Sequence, residues 1–179
     1  EGLVAAAADH GATVAAGGSR HPDVAAALSA ARAEAGKGDR ILVFGSFHTA
    51  AAALRSAIRQ DADVVLVGEM RDLETIALAL KAAEMGMLVF GTLHTNSAAK
   101  TIDRLIDVFP ADEQPQARLS LADSLAAIVA QLLVPRAGGA GRVAVHEILL
   151  KTPALPNLIR ESSISMLTNL MQAGRSEGM

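Results

Sequence analysis

Among the 179 residues there is no cysteine, no tryptophan and no tyrosine, and phenylalanine occurs only four times. The missing thiols exclude disulfides and thiolate metal sites and fit a reducing compartment. With so few aromatics, the interior has to be built from Leu, Val, Ile and Ala. A basic block is also missing. Lys and Arg number 16 against 19 Asp and Glu, for a net charge of -3. Affinity for a phosphate backbone needs clustered cations, so nucleic acid is not expected as the main partner. Long apolar runs are absent as well. Stretches such as "ILVFGSFHTAAAAL" stop short of the ~20 residues that cross a bilayer. No membrane insertion is expected, and the chain reads as soluble and cytoplasmic. The first residues, "EGLVAAAADH", show neither a basic segment nor an initiator Met, so they read as the start of a fragment without a signal peptide.

What is present is an aliphatic chain, 51% hydrophobic and 20% charged, which is enough to bury the core of one domain, or of one domain plus a fragment. Short β-branched runs alternate with longer helical patterns. Strands are expected at 12–16, 40–45, 63–68, 87–93 and 142–149. Helices are expected at 22–35, 48–60, 72–85, 97–107 and 116–134. Three of the strands are nearly continuous apolar runs, the pattern of parallel strands covered on both faces. In 72–85, Leu73, Ile76, Ala77, Leu80 and Ala83 mark one buried stripe. "PRAGGAGR" (135–142) is a loop, and the prolines at 153 and 156 delay any helix there. Strand–helix alternation implies βαβ units. The expected class is α/β: a three-layer, RecA-like or Rossmann-like, mainly parallel sheet with a small C-terminal helical portion.

The strongest chemical signal is "DADVVLVGEMRD" (61–72). Gly68 allows a turn after the strand. Glu69 then falls at the carboxyl edge of the sheet, where open α/β folds place ligands. A carboxylate there can hold magnesium through water or orient an attacking water. The competing reading makes Glu69 a cap of the next helix. His94 follows the next strand and is expected on the same edge, facing a crevice shared with Glu69; it either polarises a bound phosphate or is structural.

These residues carry a family resemblance. Residues 55–179 resemble the type IV pilus retraction ATPases, the PilT family of the secretion-ATPase superfamily. The resemblance rests on "LVGEMRD", similar to a Walker B segment, on "GTLHTNSAAKTIDR", similar to a His box, and on "NLIRE". It implies a motor ATPase core for pilus retraction and twitching motility, working with ATP and Mg as a homo-hexamer on the inner-membrane pilus platform. By this resemblance Glu69 is the catalytic and metal-directed Walker B glutamate, and His94 the His-box histidine. Arg55, Arg59 and Gly68 belong to nucleotide binding, with the two arginines facing nucleotide across subunits. The chain departs from the family by "RQDAD" in place of "REDPD" and by Pro156 in place of Arg.

A larger departure lies upstream. A P-loop needs G-x-x-x-x-G-K-[ST] so that backbone amides and the Lys cradle phosphates while a hydroxyl holds magnesium. The chain's Gly36-Lys37 is followed by Gly38, and Ala31 stands where the first Gly belongs. The acidic Asp box is missing too, so activity at a motor's rate is not expected from the chain alone. Residues 1–54, through "GDRILVFGSFHT", instead resemble the C-terminal strand and helix of the folylpolyglutamate synthase (FolC) family. That resemblance implies a chimera changing family near Ala50–Arg55, with 1–54 and 55–179 packed into one sheet. A ligase fragment and a catalytically silent α/β protein are the alternative functions. The near-identical phrases "LVFGSFHT" (42–49) and "LVFGTLHT" (88–95) are then two families' versions of one strand–turn–helix unit.

Overall fold

A computed structural model of the chain describes residues 3–6, 22–34, 40–43, 47–59 and 62–179. It comprises two compact units, Glu1–Thr92 and Leu93–Met179. The first unit alternates strand and helix as expected: β1 (Leu3–Ala6), α1 (Val24–Glu34), β2 (Arg40–Val43), α2 (Phe47–Arg59), β3 (Val64–Val67), α3 (Leu73–Glu84) and β4 (Leu88–Gly91). β1 and β2 run parallel with Leu3 opposite Arg40. β3 and β4 run parallel with Val64 opposite Leu88.

These are two separate ladders. The expected single sheet joining 40–45 to 63–68 is therefore not formed among the described residues. An apolar strand needs a partner along its edge, and β2 finds one in "LVAA", where the sequence reading assigns no strand. The strand expected at 12–16 lies outside the described residues.

The β3–β4 ladder has an inner and an outer face. Val65, Val67 and Val89 point to a core completed by Leu54 and Ile58 of α2, Ala79 and Ala82 of α3, and Met87. The other face carries Val64, Leu66, Leu88 and Phe90, which are between 48% and 66% exposed. Among the described residues of this unit, the cover on both faces expected from the apolar runs is present on one face only. On α3 the buried residues are Thr75, Ile76, Ala79 and Ala82. Of the stripe expected through Leu73, Ile76, Ala77, Leu80 and Ala83, Ile76 is fully buried and the other four are half-buried, so the buried face is shifted toward Thr75, Ala79 and Ala82.

The second unit contains α4 (Ala98–Asp107), α5 (Gln114–Ser124), β5 (Ala127–Pro135), β6 (Arg142–Leu150), α6 (Leu155–Arg160) and α7 (Leu167–Ala173), with short 3-10 turns at Ile164–Met166 and Gly174–Glu177. β5 and β6 form an antiparallel hairpin with Ala127 opposite Leu150. This corrects the helix expected over 116–134. α5 stops at Ser124, whose hydroxyl donates back to the Ser120 carbonyl at 2.6 Å, and Leu125 turns to extended backbone at ψ 120°. Ile128 and Val129 then favour a strand, and the long apolar run of β6 supplies its partner. In the connecting loop Gly139 and Gly141 take φ of 76° and 80°, a left-handed conformation that glycine adopts without strain. No helix among the described residues is long and apolar enough to cross a membrane.

Candidate functional site

The glutamate at the end of β3 is placed by a set of backbone bonds. Thr92, just past β4, donates its N–H to the Val67 carbonyl at 3.4 Å and accepts the Met70 N–H at 3.0 Å. Its hydroxyl donates to the Gly68 carbonyl. The segment carrying Glu69 is thereby fastened to the carboxyl end of the neighbouring parallel strand, which is the edge the sequence predicts for it. Gly68 itself needs no left-handed backbone, and a Cβ there would meet nothing within 4 Å. The sharp glycine turn inferred from the sequence is not what shapes this corner.

Glu69 is not the cap of α3. That role belongs to Asp72, whose carboxylate accepts the Thr75 N–H at 2.9 Å and the Thr75 hydroxyl at 2.8 Å. The Glu69 carboxylate instead accepts from Nε of Arg71, with 29% of its side chain exposed. Arg71 is a contact of Glu69 that the sequence reading passes over. The cue for it was a cation two positions after the glutamate, in a stretch too short to be helical.

The two arginines lie on α2. Arg55 is exposed and forms an ion pair with Glu74 in the first turn of α3. Arg59 is exposed in the last turn of α2. His94 belongs to the second unit, where it is exposed and leads into α4 through Thr95, Asn96 and Ser97. Ser97 caps α4, its hydroxyl accepting the Lys100 N–H at 3.3 Å. On α4, Asp103 is exposed, yet partial desolvation and then the neighbouring Asp107 charge push its carboxyl above its ordinary value, with Arg118 opposing. A cleft of about 380 Å³ in the same unit is lined by residues including Asn96, His146, Glu147, Met171 and Arg175. No group of three His, Cys, Asp or Glu side chains arranged to hold a metal occurs among the described residues.

Parallel strands crossed by helices, with a partly buried carboxylate at a strand's carboxyl end, define an α/β protein of the RecA-like class. Solved structures agree. A crystal structure of the pilus retraction motor PilT with bound ADP matches 75% of this chain at TM-score 0.66 and 46% identity, covering 40% of that protein. The Legionella pneumophila ATPase DotB matches 75% of this chain at TM-score 0.63 and 27% identity, covering 39% of that protein. The chain belongs to the type II/IV secretion system protein family, whose profile matches residues 46–175. It is 60% identical over 127 residues to the type IV pilus retraction ATPase PilT of Pseudomonas aeruginosa, covering 71% of this chain and 37% of that protein. To the twitching motility protein of Neisseria gonorrhoeae it is 58% identical over 127 residues, again 71% of this chain and 34% of that protein. The chain therefore spans between a third and two fifths of the length of these relatives.

Proposed function

We propose that this chain supplies the Walker B and His-box part of a type IV pilus retraction ATPase core, the machinery of twitching motility. The observation that carries the reading is the 60% identity to the Pseudomonas aeruginosa relative. It is supported by a glutamate at the end of β3 that another residue, Asp72, relieves of capping duty. In this role Glu69 orients an attacking water, and the Arg71 guanidinium holds its carboxylate in place. His94 polarises a phosphate. Arg55 and Arg59 serve a nucleotide bound by a neighbouring subunit of a homo-hexamer, Arg55 exchanging its Glu74 partner for that nucleotide. The hexamer works from the cytoplasm on the inner-membrane pilus platform.

Magnesium beside a nucleotide is usually held by one or two carboxylates, with water and phosphate completing its shell. The single Glu69 carboxylate fits that water-mediated share. The 179 residues do not fit the rest of a nucleotide site, because the Gly36-Lys37-Gly38 stretch offers no hydroxyl after the Lys. The sequence contains no G-x-x-x-x-G-K-[ST] motif to cradle the β- and γ-phosphates.

The test is a graft. Residues 55–179 replace the matching stretch of the Pseudomonas aeruginosa retraction ATPase in cells that lack their own. Twitching should return, and should vanish again with Glu69→Ala. A hybrid that accumulates to normal levels but leaves the cells immotile refutes the reading.

A second reading concerns residues 1–54. The family match begins only at residue 46, and β1–β2 form a ladder separate from β3–β4. We propose as this second reading a chimera in which a FolC-like terminal segment precedes the PilT-like core, in keeping with a family match that leaves residues 1–45 outside it. Residues 1–54 joined to a folylpolyglutamate synthase lacking its last strand and helix should then restore glutamate ligation. An inactive but folded fusion contradicts this second reading.

A further inference from the structure

Strand β6 reads "RVAVHEILL", an apolar run interrupted by His146 and Glu147. Glu147 stands opposite Ala130 in the hairpin, and Ala130 is buried. So small a cross-strand partner leaves room on that face for another element to come close. The element that does so is α4, whose first residue, Ala98, is fully buried. Oε1 of Glu147 accepts the Ala98 N–H at 2.5 Å. That amide is one of the four that a helix start leaves without an intrahelical partner. A carboxylate suits it doubly, as a charged acceptor and as an anion at the positive end of the helix dipole.

The residues just before Ala98 are tied to the same turn. Thr101 donates its hydroxyl to the Ser97 carbonyl at 2.8 Å and shares a 2.7 Å hydrogen bond with the Thr95 hydroxyl. Nζ of Lys100 donates to Oδ1 of Asn96 at 3.2 Å. Residues 95 to 97 are thus fastened to the first turn of α4, and Glu147 fastens that turn to β6. We propose that Glu147 is a positioning residue which, through the Ala98 amide, fixes the segment that presents His94. It acts on the histidine from a strand 53 positions away (147 − 94) and makes no direct contribution to the chemistry. The relevance to catalysis rests on the reading of His94 given above.

The experiment is amide exchange and histidine ring NMR on the whole chain, for the parent, Glu147→Gln, Glu147→Met and Glu147→Ala. With its acceptor gone, the Ala98 amide in Glu147→Ala should exchange at least about tenfold faster, and the His94 ring signals should move. Glu147→Gln keeps the volume and an acceptor oxygen and should restore both to near-parental behaviour, whereas Glu147→Met, of similar size but without that acceptor, should behave as the alanine variant does, which a merely space-filling role for Glu147 would not produce. Ala98 exchange within about twofold of the parent in Glu147→Ala, or unmoved His94 signals, overturns the proposal. If the alanine variant fails to fold, the methionine variant decides. An unprotected Ala98 amide with moved His94 signals upholds the proposal, and a protected amide with parental His94 signals overturns it. No nucleotide enters the measurement, so its failure would leave the retraction-ATPase reading standing, and failure of that reading would leave this contact standing.

Discussion

Replacing Asp72 with Ala attacks the junction between Glu69 and α3. Asp72 lies in extended backbone, φ −105° and ψ 155°, and holds Thr75 through both carboxylate oxygens. Loss of such a cap costs about 1 kcal/mol, with a range of about 0.5–2. Thr75 is fully buried, so its hydroxyl also loses an acceptor that water cannot easily replace, which adds about 1–3 kcal/mol. A helical Thr can turn its hydroxyl to a carbonyl one turn back, which keeps the second loss at the lower end. The expected total is about 2–3 kcal/mol, against about 1 kcal/mol for Asp72→Asn, which retains one acceptor oxygen. In urea unfolding followed by far-UV circular dichroism, a slope of about 2 kcal/mol/M turns the alanine effect into a midpoint lowered by about 1–1.5 M. A midpoint within about 0.25 M of the parent would refute the reasoning. It would mean that α3 starts without Asp72, and the capping role would return to Glu69.

Three further outcomes are expected. The isolated 179-residue chain should release no phosphate from ATP at a motor's rate, and Glu69→Ala should change nothing there, because losing even one group that acts in the transition state costs ~2.7–4 kcal/mol; turnover abolished by Glu69→Ala would reveal a phosphate cradle elsewhere in these residues. Ile102→Ala, at a fully buried position on α4, should destabilise by about 2–5 kcal/mol in the same urea assay, whereas a loss below about 1 kcal/mol would mean that α4 is not packed as described. Asp103 has its carboxyl raised by partial burial and by Asp107; a raised acid favours its protonated form in the folded chain, so it detracts from stability at neutral pH and ceases to do so as pH falls through its folded value. Asp103→Asn should therefore be at least as stable as the parent at pH 7 and lose that relative advantage in acid, and the opposite trend in midpoint against pH would contradict the assignment.

The elements that were legible in the sequence are those whose local signal matches their tertiary setting. "VVLV" and "LVFG" are short, β-branched or apolar, and bounded by Asp and Gly, and both became parallel strands of one ladder. Glu69 comes just after the carboxyl end of β3 for the same reason, since a strand end locates whatever follows it. β5 was misread because "LAAIVAQLLV" is rich in Ala, Leu and Gln, all good helix formers, and only the hairpin with β6 makes it a strand. β1 was missed because four residues carry almost no period. Arg71 and Glu147 escaped because their meaning lies in contacts. One needs the geometry of an irregular turn, and the other needs a helix start 49 residues away in sequence.

The central claim is that residues 55–179 hold a working Walker B and His-box half of a retraction-type ATPase. Its most direct test is steady-state phosphate release, with magnesium and ATP, by a purified hybrid joining these residues to the upstream part of the Pseudomonas aeruginosa relative, beside its Glu69→Gln variant. The account predicts turnover comparable to the relative's own, reduced by about 10²–10³ or more in the variant. A folded hybrid that binds ATP but turns over no faster than its Glu69→Gln variant would contradict it.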